Sequence, residues 1–509
     1  MKEKLHEFKN SKIIVIIFFV AYLILGLSIF RDYGMSWDES ISRWDGYKAY
    51  QYVFEGDKSL LQYYDRYYGT AFELPLYTLE KWLGITDPEM TIFSRHIATF
   101  LLFYIGVIVF YLLCAENFRS KWWGLLGAIL LVLHPRIFAE SFYNSKDIGF
   151  MSAFVISFYF GMRFVQKPTG FRAFLFAAAS GFAIDMRIIG GLVHVLILPQ
   201  LLLVTHKRLK SIIKPILIYI VSSVGFVYAF WPILWENPIV QFWNAITYMG
   251  GYSQLGGGVL YFGEFIQAPD VPWHYLPVWI GITTPVVYLA LFMVGLVCVL
   301  VKRDRWGLTL FCWFIIPILF ALLTSLPLYD GWRHFYFIYP AFVGLAISGL
   351  VHLWRKCAAT RIAGIVLFVL VVVSVSLFMI RNHPYQNVYF SELIGGIAGA
   401  NNRFDLDYWG LSFKRGLQYV AKRDSDRQIP VFVAYGFEKQ ILFLPKEYRR
   451  FVWLSDTKGA RYILSNFRWQ SNVPPYPEIY HITVDGVKIM SVFQVPPESL
   501  PAMRLDVSQ

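Results

Sequence analysis

Long apolar runs broken by short polar stretches recur along most of the chain. Read by hydropathy, about eleven of them are long enough for membrane helices, roughly 13–30, 94–114, 122–134, 148–165, 172–187, 190–204, 212–231, 275–301, 308–325, 335–352 and 362–380. The first is followed by the charged Arg31 and Asp32, not by a small-residue cleavage site, so it is expected to stay as an uncleaved span.

Placing the N-terminus inside sorts the connecting loops by charge. One side then collects Lys2, Lys4, Lys9 and Lys12; Arg119 and Lys121; Lys207, Arg208, Lys210 and Lys214; Lys302, Arg303 and Arg305; and Arg355, Lys356 and Arg361. The long loop on the opposite side, Pro232 to Tyr275, has no Lys or Arg. Cytoplasmic loops carry the basic excess, so the N-terminus is expected inside and the C-terminus outside.

Two parts are expected outside the membrane. Residues 31–93 mix Trp44, Tyr47, Tyr50, Tyr52, Phe54, Tyr63, Tyr64, Tyr67 and Tyr68 with polar residues, which suits a segment lying along the interface. From about Asn382 the pattern predicts a helix near Leu411–Lys422 and strands at Pro430–Tyr435, Phe451–Leu454 and Tyr462–Ser465. A hairpin follows, Glu478–Val484 and Lys488–Gln494, turned at Asp485-Gly486. The expected fold is an α-helical polytopic membrane protein with a small C-terminal extracytoplasmic α/β domain. Residues 1–380 would form the transmembrane domain with its first outer loop at 31–93, and 381–509 the outer domain.

Composition agrees with a bilayer. Hydrophobic residues make up 57% and charged residues 16% of the 509, against about 25% charged in soluble domains. The formal net charge of +12 sits between apolar runs, where it sets topology, so nucleic acid is not an expected partner. Cys114, Cys298, Cys312 and Cys357 show no metal-ligand spacing and no disulfide framework.

Candidate chemistry gathers on the outer side. Asp38 and Glu39 are adjacent carboxylates just past the first span; held near lipid, a carboxylate is partly desolvated and suited to general-base work, whereas in open loop water it is an ordinary solvated acid. The stretch after the third span runs from His134 to Asp147. Its His134, Arg136, Asn144, Lys146 and Asp147 suit a phosphate or pyrophosphate, or else form a plain polar connection. Asp185 and Arg187 end a span, either as a snorkelling pair or as part of a cavity. Arg333 and His334 meet the membrane boundary beside Trp332 and Tyr336, as a lipid-phosphate site or an interfacial anchor.

On these residues the chain resembles the GT-C superfamily of membrane glycosyltransferases, in the branch of protein O-mannosyltransferases and bacterial aminoarabinose transferases (glycosyltransferase family 39-like). The resemblance rests on Asp38-Glu39, on Asn144-Ser145-Lys146-Asp147 and on Arg333-His334. It also takes in His383-Pro384-Tyr385-Gln386-Asn387-Val388-Tyr389-Phe390 and Asp407-Tyr408-Trp409-Gly410.

It implies an inverting transfer of a sugar from a polyprenyl-phosphate carrier to an extracytoplasmic glycan, lipid or protein, by a multi-pass protein of a bacterial cytoplasmic membrane. Asp38 takes the role of base. Glu39 would orient the acceptor or a divalent cation near the pair, the cofactor being otherwise unknown. Arg187, Arg333, His334 and Lys146 would hold the carrier phosphate, with His134, Arg136, Asn144, Asp147 and Tyr336 around it. One departure stands out. Aminoarabinose-type relatives carry Lys-Pro-Pro late in the first loop, where this chain reads Phe72-Glu73-Leu74-Pro75-Leu76.

Two other classes compete. An oligosaccharide transferase or ligase would share the lipid-linked donor, but ligases often place basic residues in a large outer loop and Pro232 to Tyr275 has none; its Gly256-Gly257-Gly258 stretch is expected to close over substrate. A transporter would show inverted repeats and mid-membrane charges, and neither pattern is visible in the sequence.

Overall fold

The computed structural model describes residues 2–205, 209–250, 258–324, 326–356, 358–434, 438–468 and 473–499. Cys357, Tyr435 and the loop glycines Gly256 and Gly257 lie outside them.

The chain opens with helix α1 (Lys2–Ile29), then two short helices of the first loop, α2 (Glu39–Tyr50) and α3 (Glu73–Trp82). Helix α4 (Pro88–Asn117) starts where Asp87 accepts the N–H groups of Glu89 and Met90 and Pro88 supplies a first residue that needs no partner. Then come α5 (Lys121–Val132), α6 (Pro135–Tyr143), α7 (Asp147–Gln166), α8 (Gly170–Met186), α9 (Leu192–Thr205), α10 (Leu209–Phe230) and α11 (Pro238–Gly250). A small hairpin, β1 (Gly258–Tyr261) and β2 (Glu264–Gln267), precedes α12 (Tyr275–Thr283), α13 (Val286–Lys302), α14 (Arg305–Thr324), α15 (Tyr339–Lys356) and α16 (Ala358–Arg381).

This is a multi-pass membrane protein. Among the described residues seven helices are long and apolar enough to cross a bilayer, and up to nine if each of two bent pairs counts as one span. The expectation of eleven is corrected by backbone chemistry. The run at 122–134 does not end in a polar loop: α5 turns through 73° into α6, which Pro135 and the His134 cap start afresh. Likewise 275–301 is not one continuous helix, because Thr284-Pro285 breaks it into α12 and α13 at 120°. The runs at 172–187 and 190–204 form α8 and α9, of 17 and 14 residues, and 17 residues rise only about 25 Å.

All nine residues of α6 are buried. Phe142 stacks on Phe100 of α4 at 5.1 Å and on Tyr33 at 4.6 Å, and Tyr143 meets Trp409 edge-on at 5.8 Å. This short helix is the hub between membrane helices and tail.

The tail continues through α17 (Gly396–Ala400) and α18 (Phe413–Arg423) to five strands, β3 (Ile429–Val433), β4 (Phe451–Trp453), β5 (Tyr462–Ser465), β6 (Glu478–Val484) and β7 (Val487–Gln494). Their order is β4-β3-β5-β7-β6, with β3 parallel to both neighbours and the rest antiparallel. Each element lies within a few residues of its expected position. The hairpin turns at Asp485 and Gly486, whose φ angles of 44° and 80° suit an Asp-Gly turn. Phe413, Leu417 and Val420 bury one face of α18 beneath the sheet. The tail is tied to the first loop by Lys414, which donates to the carbonyls of Arg31 and Tyr33 at 2.6 and 3.1 Å, and by Arg449, paired with Asp87 at 3.0 Å.

Candidate active site

Asp38 stands at the N-cap position of α2 but makes no capping bond. Its Oδ2 instead accepts from Arg333 Nη1 at 2.8 Å, and the same nitrogen donates to Asp147 Oδ2 at 3.0 Å. Arg187 pairs with the other oxygen of Asp147, and Arg333 Nη2 donates to Asp330 Oδ2 at 3.3 Å. Four chain segments thus meet in one charged network, built around a helix start. Asn144 Oδ1 accepts the Asp147 N–H at 2.9 Å and so begins α7, while Asn144 Nδ2 donates to Asp147 Oδ2 at 3.0 Å and Glu140 Oε2 at 2.7 Å.

Exposure separates the network, with Lys146 beside it, into a floor and an edge. The Asp147 and Arg333 side chains are 0% and 4% exposed, whereas Asp38, Lys146 and Arg187 keep 17%, 16% and 18%. Lys146 pairs with Asp45 Oδ2 at 3.1 Å and lies 4.2 Å from the Tyr68 ring centre. Burial pushes Asp45 up to about 6, against the pull of the Lys146 ammonium. Tyr68 is placed by its neighbour: a Cβ on Gly69 would sit 1.5 Å from the Asp185 carbonyl oxygen, so only glycine lets the loop lie there.

The structure brings together Asp38, Asn144, Lys146, Asp147, Arg187 and Arg333. His334 is half-buried beside them, edge-on to Tyr329 at 4.7 Å. The outer end of α8 divides: Asp185 accepts the Ala71 N–H, while Arg187 joins the network. They are not a snorkelling pair.

Other expected residues lie elsewhere. Glu39 is buried and turned from Asp38, accepting the Ser36 N–H at 2.6 Å and pairing with His96 at 3.0 Å. The two carboxylates therefore do not share a cation site, and among the described residues no three His, Cys, Asp or Glu side chains form one. His134 is buried as the cap of α6, 4.8 Å from the Tyr339 ring. Arg136 Nε donates to the Tyr389 carbonyl at 2.9 Å, with its guanidinium near Phe390 and Trp279. Tyr336 donates to Glu140 Oε1 at 2.7 Å. These three brace the hub helix against its neighbours.

Sequence reasoning missed Asp45, Asp330 and Arg468. Asp330 stood three positions before Arg333, close enough to suspect. Asp45 and Arg468 had no signal. Glu73, in the stretch that departs from the aminoarabinose type, pairs with Arg95 and accepts from Ser145 Oγ at 2.7 Å; Arg95 also reaches Glu80 at 3.0 Å. That buried ion cluster fastens the first loop to α4 and to the turn carrying Lys146. The tail motif is structural as well: Asp407 accepts from Asn387 Nδ2 at 3.0 Å and from Ser412 N and Oγ at 3.0 and 2.6 Å.

A family model described as dolichyl-phosphate-mannose-protein mannosyltransferase matches residues 84–235, the stretch that holds Asp147 and Arg187. ArnT from Cupriavidus metallidurans, solved in the apo state, superposes with a TM-score of 0.51 at 14% identity, covering 96% of this chain and 99% of that one. The chain has the GT-C fold. The same ArnT bound to undecaprenyl phosphate gives a TM-score of 0.48 at 16% identity, over 94% of this chain and 97% of that one. No curated protein sequence matches at a significant level. The resemblance to GT-C membrane glycosyltransferases read from short motifs is thus met by a family model and by a GT-C architecture spanning nearly the whole chain.

Proposed function

We propose that this protein transfers a sugar from a polyprenyl-phosphate carrier to an acceptor at the outer face of the membrane, with inversion and with Asp38 as general base. One observation carries the reading: a partly open carboxylate and the open cation Arg187 share one charged network, and a second open cation, Lys146, stands next to its Asp147 in the chain, paired with Asp45. The matched family model, named for a dolichyl-phosphate mannose donor, supports the donor class. The charge pattern of the loops supports a cytoplasmic N-terminus and an extracytoplasmic tail.

The chemistry follows from the geometry. Arg333 holds Asp38 by Oδ2, which leaves Oδ1 to take the proton of an acceptor hydroxyl or amine. The acceptor attacks the anomeric carbon in a single displacement as the bond to the phosphate oxygen breaks. Negative charge then builds on the departing phosphate, which the cations of the network stabilise. The Nε atoms of Arg187 and Arg333 are buried donors without an acceptor in the structure, and a phosphate oxygen is the partner such donors suit. Asp147, between the two guanidiniums, keeps them oriented before the donor arrives.

The test is transfer by purified protein in proteoliposomes with a panel of undecaprenyl-phosphate sugars, products read by mass. Wild type should yield a glycosylated product. Asp38→Asn, inserted and folded as wild type, should lose about 10²–10⁴-fold in turnover. Wild-type turnover by Asp38→Asn would remove it from the mechanism.

A further inference from the structure

The tail does more than sit above the membrane helices, because it supplies part of the charged network itself. Arg468, just past β5, donates from Nη2 to Asp330 Oδ1 at 2.5 Å and from Nη1 to the Tyr408 carbonyl at 2.6 Å. Its side chain is 9% exposed. Asp330 uses its other oxygen for Arg333, which in turn holds Asp38. An unbroken chain of charge-assisted bonds therefore runs from the tail sheet to the candidate base.

The local backbone is built for this contact. Phe467 takes a left-handed φ of 63°. Around it the Phe467 N–H donates to Ser465 Oγ at 3.0 Å and the Arg468 N–H to Asn466 Oδ1 at 3.3 Å. Asn466 Nδ2 in turn holds the Asp407 carbonyl at 2.9 Å, at the start of the segment whose Trp409 ring lies 4.8 Å from the Arg333 guanidinium. One part of the tail thus meets Arg333 directly, and a neighbouring part holds its partner Asp330. Arg468 is held at two of its nitrogens and its pair with Asp330 is mostly shielded from water, unlike a surface pair whose worth is small.

We propose that Arg468 is a positioning residue for the transfer reaction, acting through Asp330 to orient the Arg333 fork and with it Asp38. The inference rests on the proposed function. Its physical basis is that a guanidinium bonded to three carboxylates takes a direction set by all three. Releasing Asp330 from Arg468 frees it to draw Arg333 away from Asp38. Misplacing a reacting group costs turnover more than binding. The catalytic unit then extends beyond residue 380 into the tail.

The experiment compares wild type, Arg468→Gln, Arg468→Lys, Asp330→Asn and the Asp330→Asn/Arg468→Gln double variant, all full-length in proteoliposomes with the donor that wild type uses. Arg468→Gln should lower kcat about tenfold or more while the donor KM moves less than about threefold, and the double variant should be no slower than Asp330→Asn alone. Arg468→Lys should recover part of the rate, because an ammonium keeps the charge but not the fork. Thermal melting sets turnover per folded molecule, and if Arg468→Gln does not accumulate, Arg468→Lys carries the comparison.

A kcat within about twofold of wild type per folded molecule, or losses that multiply in the double variant, would overturn the positioning role and reduce the tail to a brace. Absence of transfer by wild type with every lipid-linked sugar would instead overturn the proposed function. The two failures are told apart by the wild-type lane.

Discussion

Asp38 and Arg333, 295 positions apart in the chain, meet through a 2.8 Å hydrogen bond from Nη1 to Oδ2. The contact explains why an aspartate at a helix start leaves its own helix uncapped, a choice that forgoes about 1 kcal/mol of local stability. In return, one carboxylate oxygen is fixed at the open edge of a buried network. Removing either partner should therefore disturb more than a surface ion pair would.

The two arginines that share Asp147 should respond differently. Arg187 is at the open edge but bonds one oxygen of the buried Asp147, so Arg187→Gln should raise the donor KM about tenfold or more at a stability cost of about 1–3 kcal/mol, smaller than that of Arg333. Arg333 is buried among three carboxylates. Arg333→Gln should cost about 3 kcal/mol or more of stability as well as turnover, since it strands those charges. Donor titrations and melting curves on both variants check the split, and an unchanged donor KM in Arg187→Gln would rule it out as a phosphate ligand.

Glu39 offers the sharpest contrast with its neighbour. Because it faces His96 and the Ser36 N–H, Glu39→Gln should lower stability by about 1–3 kcal/mol. Its turnover per folded molecule should stay at least about a hundredfold above that of Asp38→Asn. Equal losses in the two variants would place Glu39 back in the reaction.

Asp45 predicts a pH effect. Burial raises its folded pKa from 3.8 to about 6, so between those values the folded state holds a proton that the unfolded chain has released. The stability this contributes is full below about 4 and lost as pH rises through about 6, a swing of roughly 3 kcal/mol. Asp45→Asn should remove that component, so its melting temperature should fall less than wild type's between pH 4 and 7. Parallel curves for the two proteins would show that Asp45 does not titrate there.

Much of the architecture was legible because a bilayer imposes a coarse code. Each apolar run became a helix, and the tail strands and their Asp-Gly turn emerged close to where alternation put them. What hydropathy could not see was geometry at prolines. The run at 275–301 reads as a single span because its composition is continuous, yet Pro285 breaks it sharply, and just past the run at 122–134 Pro135 starts a second helix at 73° to the first. The polar stretch from His134 to Asp147 reads as a loop for the opposite reason: its charges suggest water, while its partners are buried elsewhere in the chain.

By itself the sequence determined that this chain spans a membrane several times, carries an α/β tail and resembles the GT-C glycosyltransferases, since these follow from hydropathy, local periodicity and short motifs. Only the tertiary structure decided that Asp38 and Glu39 part company, that Arg136 and His134 brace the hub helix, that Asp45 pairs with Lys146, and that Asp330 and Arg468 join the network. The reason is physical: a buried charge takes its partner from whatever segment folds against it, and no linear pattern records that choice.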